Sequence, residues 1–218
     1  MSWLHQDNEE LLQALSAEHE TEGVGVLWHF HRTPTDWRCP CRHRCKAEIA
    51  RKDEKGRLYC SLVEHHDHWM DFVADVFRDR LKSIPHSTMT AIVESYRRFS
   101  PTLICEDCNQ AERIGKRLSG FPEGPRFKRF SFAPSEIASF IIVRINAMHN
   151  VDEQQAKAAL AAVKPTMERL RDRLIATING TEGNGEMQPI AAAAIRVLVT
   201  AIVQPEAPLE RSPTVTER

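Results

Sequence analysis

The sequence predicts an α+β, mostly helical protein built around a small strand-bearing core, and three observations predict it. Apolar residues recur at helical spacing over much of the chain, from Leu11, Leu12 and Leu15 near one end to residues 152–178 near the other. One short stretch, Leu58-Tyr59-Cys60-Ser61-Leu62-Val63, has the pattern of a strand instead and runs into Glu64-His65-His66-Asp67-His68. Cysteines bracket that stretch, with Cys39 and Cys41 before it and Cys105 and Cys108 after it.

The elements follow in order. Residues 1–36 read as an N-terminal helical extension, in which residues 7–20 form an amphipathic helix and Thr33-Pro34-Thr35-Asp36 marks a turn. Residues 37–120 read as the Cys- and His-bearing module. Its strand leads to a helical insertion of two segments, 71–81 and 88–99, parted by Ile84-Pro85-His86-Ser87, and it closes on a helix from Asn109 to Leu118. Residues 121–203 read as a helical C-terminal region. One run starts at Ser135 and Glu136 and reaches about Met148, and a second spans 152–178, where Pro165 is expected to begin or kink a segment. Gly180 to Gly185 reads as a break, Pro189 to Val203 as a last helix, and residues 204–218 as a disordered tail.

Composition bounds the function. A chain of 218 residues suits one module with elaborations, and 42% hydrophobic with 27% charged residues is ordinary for a soluble protein. The longest apolar run, Ile190 to Val203, is interrupted by Arg196 and is shorter than the roughly 20 residues a membrane span needs. The first residues lack the basic start and apolar stretch of a secretory signal, so a cytoplasmic location with no membrane partner is expected. In that compartment six cysteines point to metal rather than to a disulfide framework. The net charge of −1 gives no global argument for nucleic acid, yet Arg38 to Arg57 holds eight Lys/Arg against three Asp/Glu, and Arg113 to Arg129 six against one.

Cys105-Glu106-Asp107-Cys108 is a CxxC pair, whose thiolates can bind one side of a tetrahedral Zn²⁺ while a second pair closes the other. The upstream cysteines offer CxC from Cys39 to Cys41 or CxxxC from Cys41 to Cys45. Cys39 and Cys41 are taken as ligands, with Cys45 as the substitute, and Cys60 as strand packing. Hydrolysis of a phosphodiester needs an activated water, a cation against developing charge, and fixed geometry. An imidazole can take the proton near neutral pH, and Asp67 and Asn109 offer oxygens suited to Mg²⁺ or Mn²⁺.

With Asp67-His68 followed by Cys105-Glu106-Asp107-Cys108-Asn109, the chain resembles the HNH, or ββα-metal, endonucleases of the zinc-knuckle type, over residues 37–118. It looks especially like bacterial members that combine a knuckle, a Lys-x-Glu-Ile run (here Lys46-Ala47-Glu48-Ile49), a His-His-Asp-His strand and an Ile-Cys-x-x-Cys-Asn helix start. The resemblance implies a ββα-metal core with structural zinc, a catalytic ion on Asp67 and Asn109, and His68 as general base. His66 is the alternative base, because a His-His pair is also an HNH pattern, and His65 reads as a core imidazole. Glu112 could add a carboxylate to the ion. The middle Asn of many family members is absent from Arg98 to Ile104, where Ser100 or Thr102 stand instead. DNA is the implied substrate, with Lys46, Arg113, Lys116 and Arg117 on its phosphates, and the family's setting is bacterial defence or mobile elements. The C-terminal helices are left for a second copy of the chain or a protein partner. Two other readings fit the same residues. One is a catalytically impaired zinc module that binds nucleic acid or protein, and the other a zinc hydrolase using His65, His66 and His68 on a small substrate.

Overall fold

A computed structural model describes residues 3–26, 28–80, 86–121 and 129–181. The fold is α+β and mostly helical. Its elements are α1 (Trp3–Glu18), β1 (Val24–Gly25), α2 (Trp28–Arg32), α3 (Lys46–Ile49), β2 (Arg51–Lys52), β3 (Leu58–Tyr59), β4 (Leu62–His65), α4 (His68–Arg80), α5 (His86–Glu94), β5 (Thr102–Cys105), α6 (Glu106–Leu118), α7 (Pro134–Phe140), β6 (Ile141–Ile142), β7 (Asn150–Val151) and α8 (Glu153–Thr181). The last sequence-predicted helix, Pro189 to Val203, and the tail lie outside the described residues. No helix among the described residues is long and apolar enough to cross a membrane.

The centre is a β-β-α unit. Strands β4 and β5 pair antiparallel, Leu62 against Cys105 and His65 against Thr102, and α6 follows β5 without a break. Helices α4 and α5 are the insertion between the two strands. The Glu106 N–H donates to the Ser61 carbonyl (2.9 Å), which ties the start of α6 back to the start of β4. Packing does the rest: Trp69, Val73 and Phe77 on α4, Ile104 on β5, and Ala111 on α6 are buried in one core with Ile137 and Phe140 of α7 and Ala156, Leu160, Met167 and Leu174 of α8. Gly115 on α6 sits where a Cβ would come within 2.7 Å of the Phe140 ring, so the α6–α7 approach needs glycine there.

Three sequence expectations change. The single strand expected over 58–63 splits at Cys60 and Ser61, with β3 joining a sheet of order β1-β3-β2 and β4 pairing with β5. The helix expected to reach Met148 stops at Phe140, because the β-branched run Ile141-Ile142-Val143 goes extended and folds back as a β6–β7 hairpin. Asn146 turns that hairpin at φ 53°, and its side chain donates to the carbonyls of Ala47 (3.0 Å) and Ala50 (2.7 Å). Residues 153–181 form one helix running through Pro165, so the proline does not begin a new segment.

The N-terminal extension joins the module through the β1–β3 pairing and through a buried lysine. Lys46 is fully buried, and its ammonium donates to Asn8 Oδ1 (2.5 Å) and to the carbonyls of Phe30 (2.8 Å) and Thr33 (2.9 Å), with the Phe30 ring 4.2 Å away. Burial lowers its pKa to about 8.

Candidate functional site

Three cysteines, Cys39, Cys105 and Cys108, converge where the first loop meets the β5–α6 junction, with Cys41 buried beside them. The Arg38–Cys45 loop closes on itself through Cys39 N to the Arg44 carbonyl (2.9 Å) and His43 N to the Cys39 carbonyl (2.7 Å), with His43 at φ 57°. That turn directs Cys39 and Cys41 inward, and both are buried. Cys105 precedes the first turn of α6 and Cys108 lies within it, so both thiols sit at the positive end of a helix. The sulfurs of Cys39, Cys105 and Cys108 all lie within 4.8 Å of one another, and Cys39 Sγ is 3.7 Å from Cys108 Sγ. Cys41 is buried next to this group and interacts electrostatically with Cys108 and Cys39. Cys45 stands apart as the residue that caps α3, its N–H donating to Glu48 Oε2 (2.7 Å). Cys60 is buried elsewhere, its thiol donating to the Lys46 carbonyl (3.5 Å).

This cluster could hold a metal ion. The cysteines are free thiols rather than disulfides. A tetrahedral ion with sulfur ligands at about 2.3 Å sets those sulfurs about 3.8 Å apart, close to the observed Cys39–Cys108 separation. Hydrogen bonds from Cys105, Cys108 and Cys41 hold Cys39 far below the ordinary thiol range. The surroundings supply positive charge: Arg44 Nη2 donates to Cys105 Sγ (3.3 Å) and to Asp107 Oδ2 (2.8 Å), and Arg51 pairs with Asp107 Oδ1 (2.6 Å). Asp107, inside the CxxC loop and almost fully buried, thus pairs with two arginines and holds Arg44 against Cys105.

A second polar cluster lies past the other end of the ribbon. Strand β4 ends at His65, and α4 begins at His68, so His66 and Asp67 form the link. Asp67 is buried, and its carboxylate caps the new helix, accepting from Trp69 N (3.2 Å) and from Arg98 N (2.8 Å) at the far side of the insertion. Asp67, expected as a cation ligand, has each of its oxygens hydrogen-bonded to a backbone N–H group inside the protein. Burial raises its pKa, partly offset by those hydrogen bonds. His66 and His68 emerge on either side, and each donates to one oxygen of Asp71, His68 Nδ1 at 2.9 Å and His66 Nε2 at 3.1 Å. Burial opposes ionisation of Asp71, but the hydrogen bonds from His68 and His66 outweigh it and hold the carboxyl below its usual value.

The remaining site residues divide by burial. His65 is a core imidazole, its Nε2 against the Phe132 carbonyl (2.7 Å) and its ring stacked on Phe99 at 5.2 Å. Glu112 accepts from Phe132 N (3.2 Å) and pairs with Lys116 (3.0 Å), whose ammonium also donates to the Phe130 carbonyl (3.0 Å). Both are buried, so Glu112 holds the 130–132 segment rather than an ion, and Lys116 does not face a phosphate. Lys46 is corrected in the same way, since its ammonium is spent inside the fold. Arg113 and Arg117 remain exposed on α6, and Asn109 is half-buried in its first turn, immediately after Cys108. Asp71 and Asp107, which lie at the two clusters, are not among the residues the sequence motifs single out. No family model, curated protein or solved structure matches the chain.

Proposed function

We propose that the chain is a metal-dependent phosphodiesterase of the HNH, ββα-metal type, with zinc held by Cys39, Cys41, Cys105 and Cys108 as a structural ion and DNA as substrate. One observation carries the reading: thiols bind one end of a β4–β5–α6 unit, and two imidazoles sharing a carboxylate stand open beyond the other. The donor set fits zinc, being sulfur-only, closed and buried. Zinc there fastens the first loop to the strand–helix junction, so that folding of the module and metal binding become one event.

Chemistry belongs to the open end. His68 and His66, each in contact with Asp71 and open to solvent, are the groups placed to activate water there, directly or by holding an ion. A divalent cation bound there would neutralise charge on the phosphoryl and leaving oxygens. Arg113 and Arg117 provide exposed positive charge on α6 for the phosphate backbone. A second reading, a zinc module that binds nucleic acid or protein without cutting, is favoured by the commitment of Asp67, Lys46 and Lys116 to the interior. Plasmid nicking with Mg²⁺ or Mn²⁺ separates the two. Cleavage that disappears in His66→Ala or His68→Ala supports the nuclease, and a gel shift with no cleavage supports the binding module.

A further inference from the structure

The geometry points to His66, His68 and Asp71 as a divalent-cation site of the two-histidine, one-carboxylate kind, taking the place that the sequence motif gives to Asp67 and Asn109. The three donor atoms all lie within 4.8 Å of one another, and the site is part-exposed. Asp71 Oδ2 is 2.9 Å from His68 Nδ1 and 3.1 Å from His66 Nε2. Adjacent ligands of a six-coordinate ion with bonds of about 2.1 Å stand about 3.0 Å apart, so both separations match edges of such a shell.

The convergence follows from the local chain. His68 and Asp71 share a face of α4 because they are three residues apart on a helix. His66 reaches the same point from the extended link, where the buried Asp67 carboxylate fixes the turn by accepting from Trp69 N and Arg98 N. Asp67 is therefore a positioning residue that sets the two imidazoles outward. The imidazole rings meet edge to face with centroids 4.3 Å apart, which brings the two nitrogens to the same carboxylate oxygen.

Two imidazoles and one carboxylate suit a transition ion such as Mn²⁺ better than Mg²⁺, which prefers oxygen ligands and holds its waters. Three protein ligands leave positions for water and for a phosphate oxygen. The inference rests on the cluster's own geometry, and its failure is distinguishable from failure of the nuclease reading.

The test is Mn²⁺ titration of the full chain with its thiol site loaded with zinc, followed by the loss of the free-ion electron paramagnetic resonance signal. The expected result is one Mn²⁺ per chain, with affinity lowered at least tenfold in each of Asp71→Asn, His66→Ala and His68→Ala. Asn109→Ala is expected to leave the affinity unchanged. Thermal unfolding of Asp71→Asn, an exposed change, checks that the fold is intact. Mn²⁺ affinity unchanged in Asp71→Asn, or lost in Asn109→Ala instead, overturns the assignment. Binding that follows this pattern without any DNA cleavage supports the site while removing the nuclease reading.

Discussion

The two clusters of the β4–β5–α6 unit use similar numbers of ligand-type side chains and differ in what surrounds them. The thiols at the Cys105 end are 4% exposed or less, whereas His66, His68 and Asp71 are 40%, 37% and 56% exposed. A closed set of four sulfurs leaves an ion no free position and puts its binding energy into the fold. An open set leaves room for water and substrate, and contributes little to stability because exposed charge pairs are worth at most about 1 kcal/mol. Under the proposed function, this difference gives structure to one end of the unit and chemistry to the other.

The comparison is broken most forcefully at the thiols. Cys108→Ser is expected to remove bound zinc altogether and to abolish the cooperative thermal transition of the module, since zinc binding at such sites is worth roughly 10 kcal/mol or more. Metal analysis and calorimetry check it, and a variant that melts like the wild type would remove the structural role. Next in size is Asp107→Asn, which strips the buried Arg44 and the half-buried Arg51 of their shared carboxylate. A loss of about 3–5 kcal/mol in denaturant unfolding is expected, the usual cost of breaking a buried ion pair.

Lys46→Met should cost about 2–3 kcal/mol at neutral pH, because three buried acceptors lose their donor. It also carries a pH signature. The folded pKa of Lys46 is about 8, against about 10.5 in an unfolded chain, so the unfolded state holds more protons between those values. The penalty of its buried charge is complete below pH 8 and is relieved as pH rises to about 10.5. Stability of the wild type relative to Lys46→Met should therefore rise across that window, and a flat difference would contradict the assignment. The smallest effect is expected at Cys45→Ser, which should keep full zinc content and a melting temperature within about 2 °C, while Cys41→Ser loses the metal. The reverse pattern would move the site to Cys39 and Cys45.

Much of the thiol end was legible in the sequence. CxxC at a helix start is a strong signal, and the structure brings Cys39 to that pair, while Cys45 stands at the start of α3. Asp107 was not legible: an acidic residue between two cysteines reads as solvent-facing until Arg44 and Arg51 are brought to it from more than fifty residues away. At the other end, the motif located His66 and His68 but carried the strand too far. An Asp immediately before an amphipathic run is a helix-cap signal. Taken as such, it starts α4 at His68, makes Asp67 the cap, and places Asp71 beside His68 one turn on. Lys46 and Lys116 were placed on a basic surface because lysine is almost never fully buried. Only the Glu112–Lys116 spacing of four residues hinted at the pairing that takes Lys116 inside.

The most direct test of the whole account is supercoiled-plasmid nicking by zinc-loaded protein in Mn²⁺, comparing wild type with His68→Ala at matched zinc content and matched DNA affinity. The account predicts that the wild type nicks and that His68→Ala loses the activity by a factor on the order of 10²–10⁴ while keeping its fold, its zinc and its grip on DNA. Wild-type protein that binds plasmid but never cuts it, or a His68→Ala variant that cuts at the wild-type rate, would contradict it.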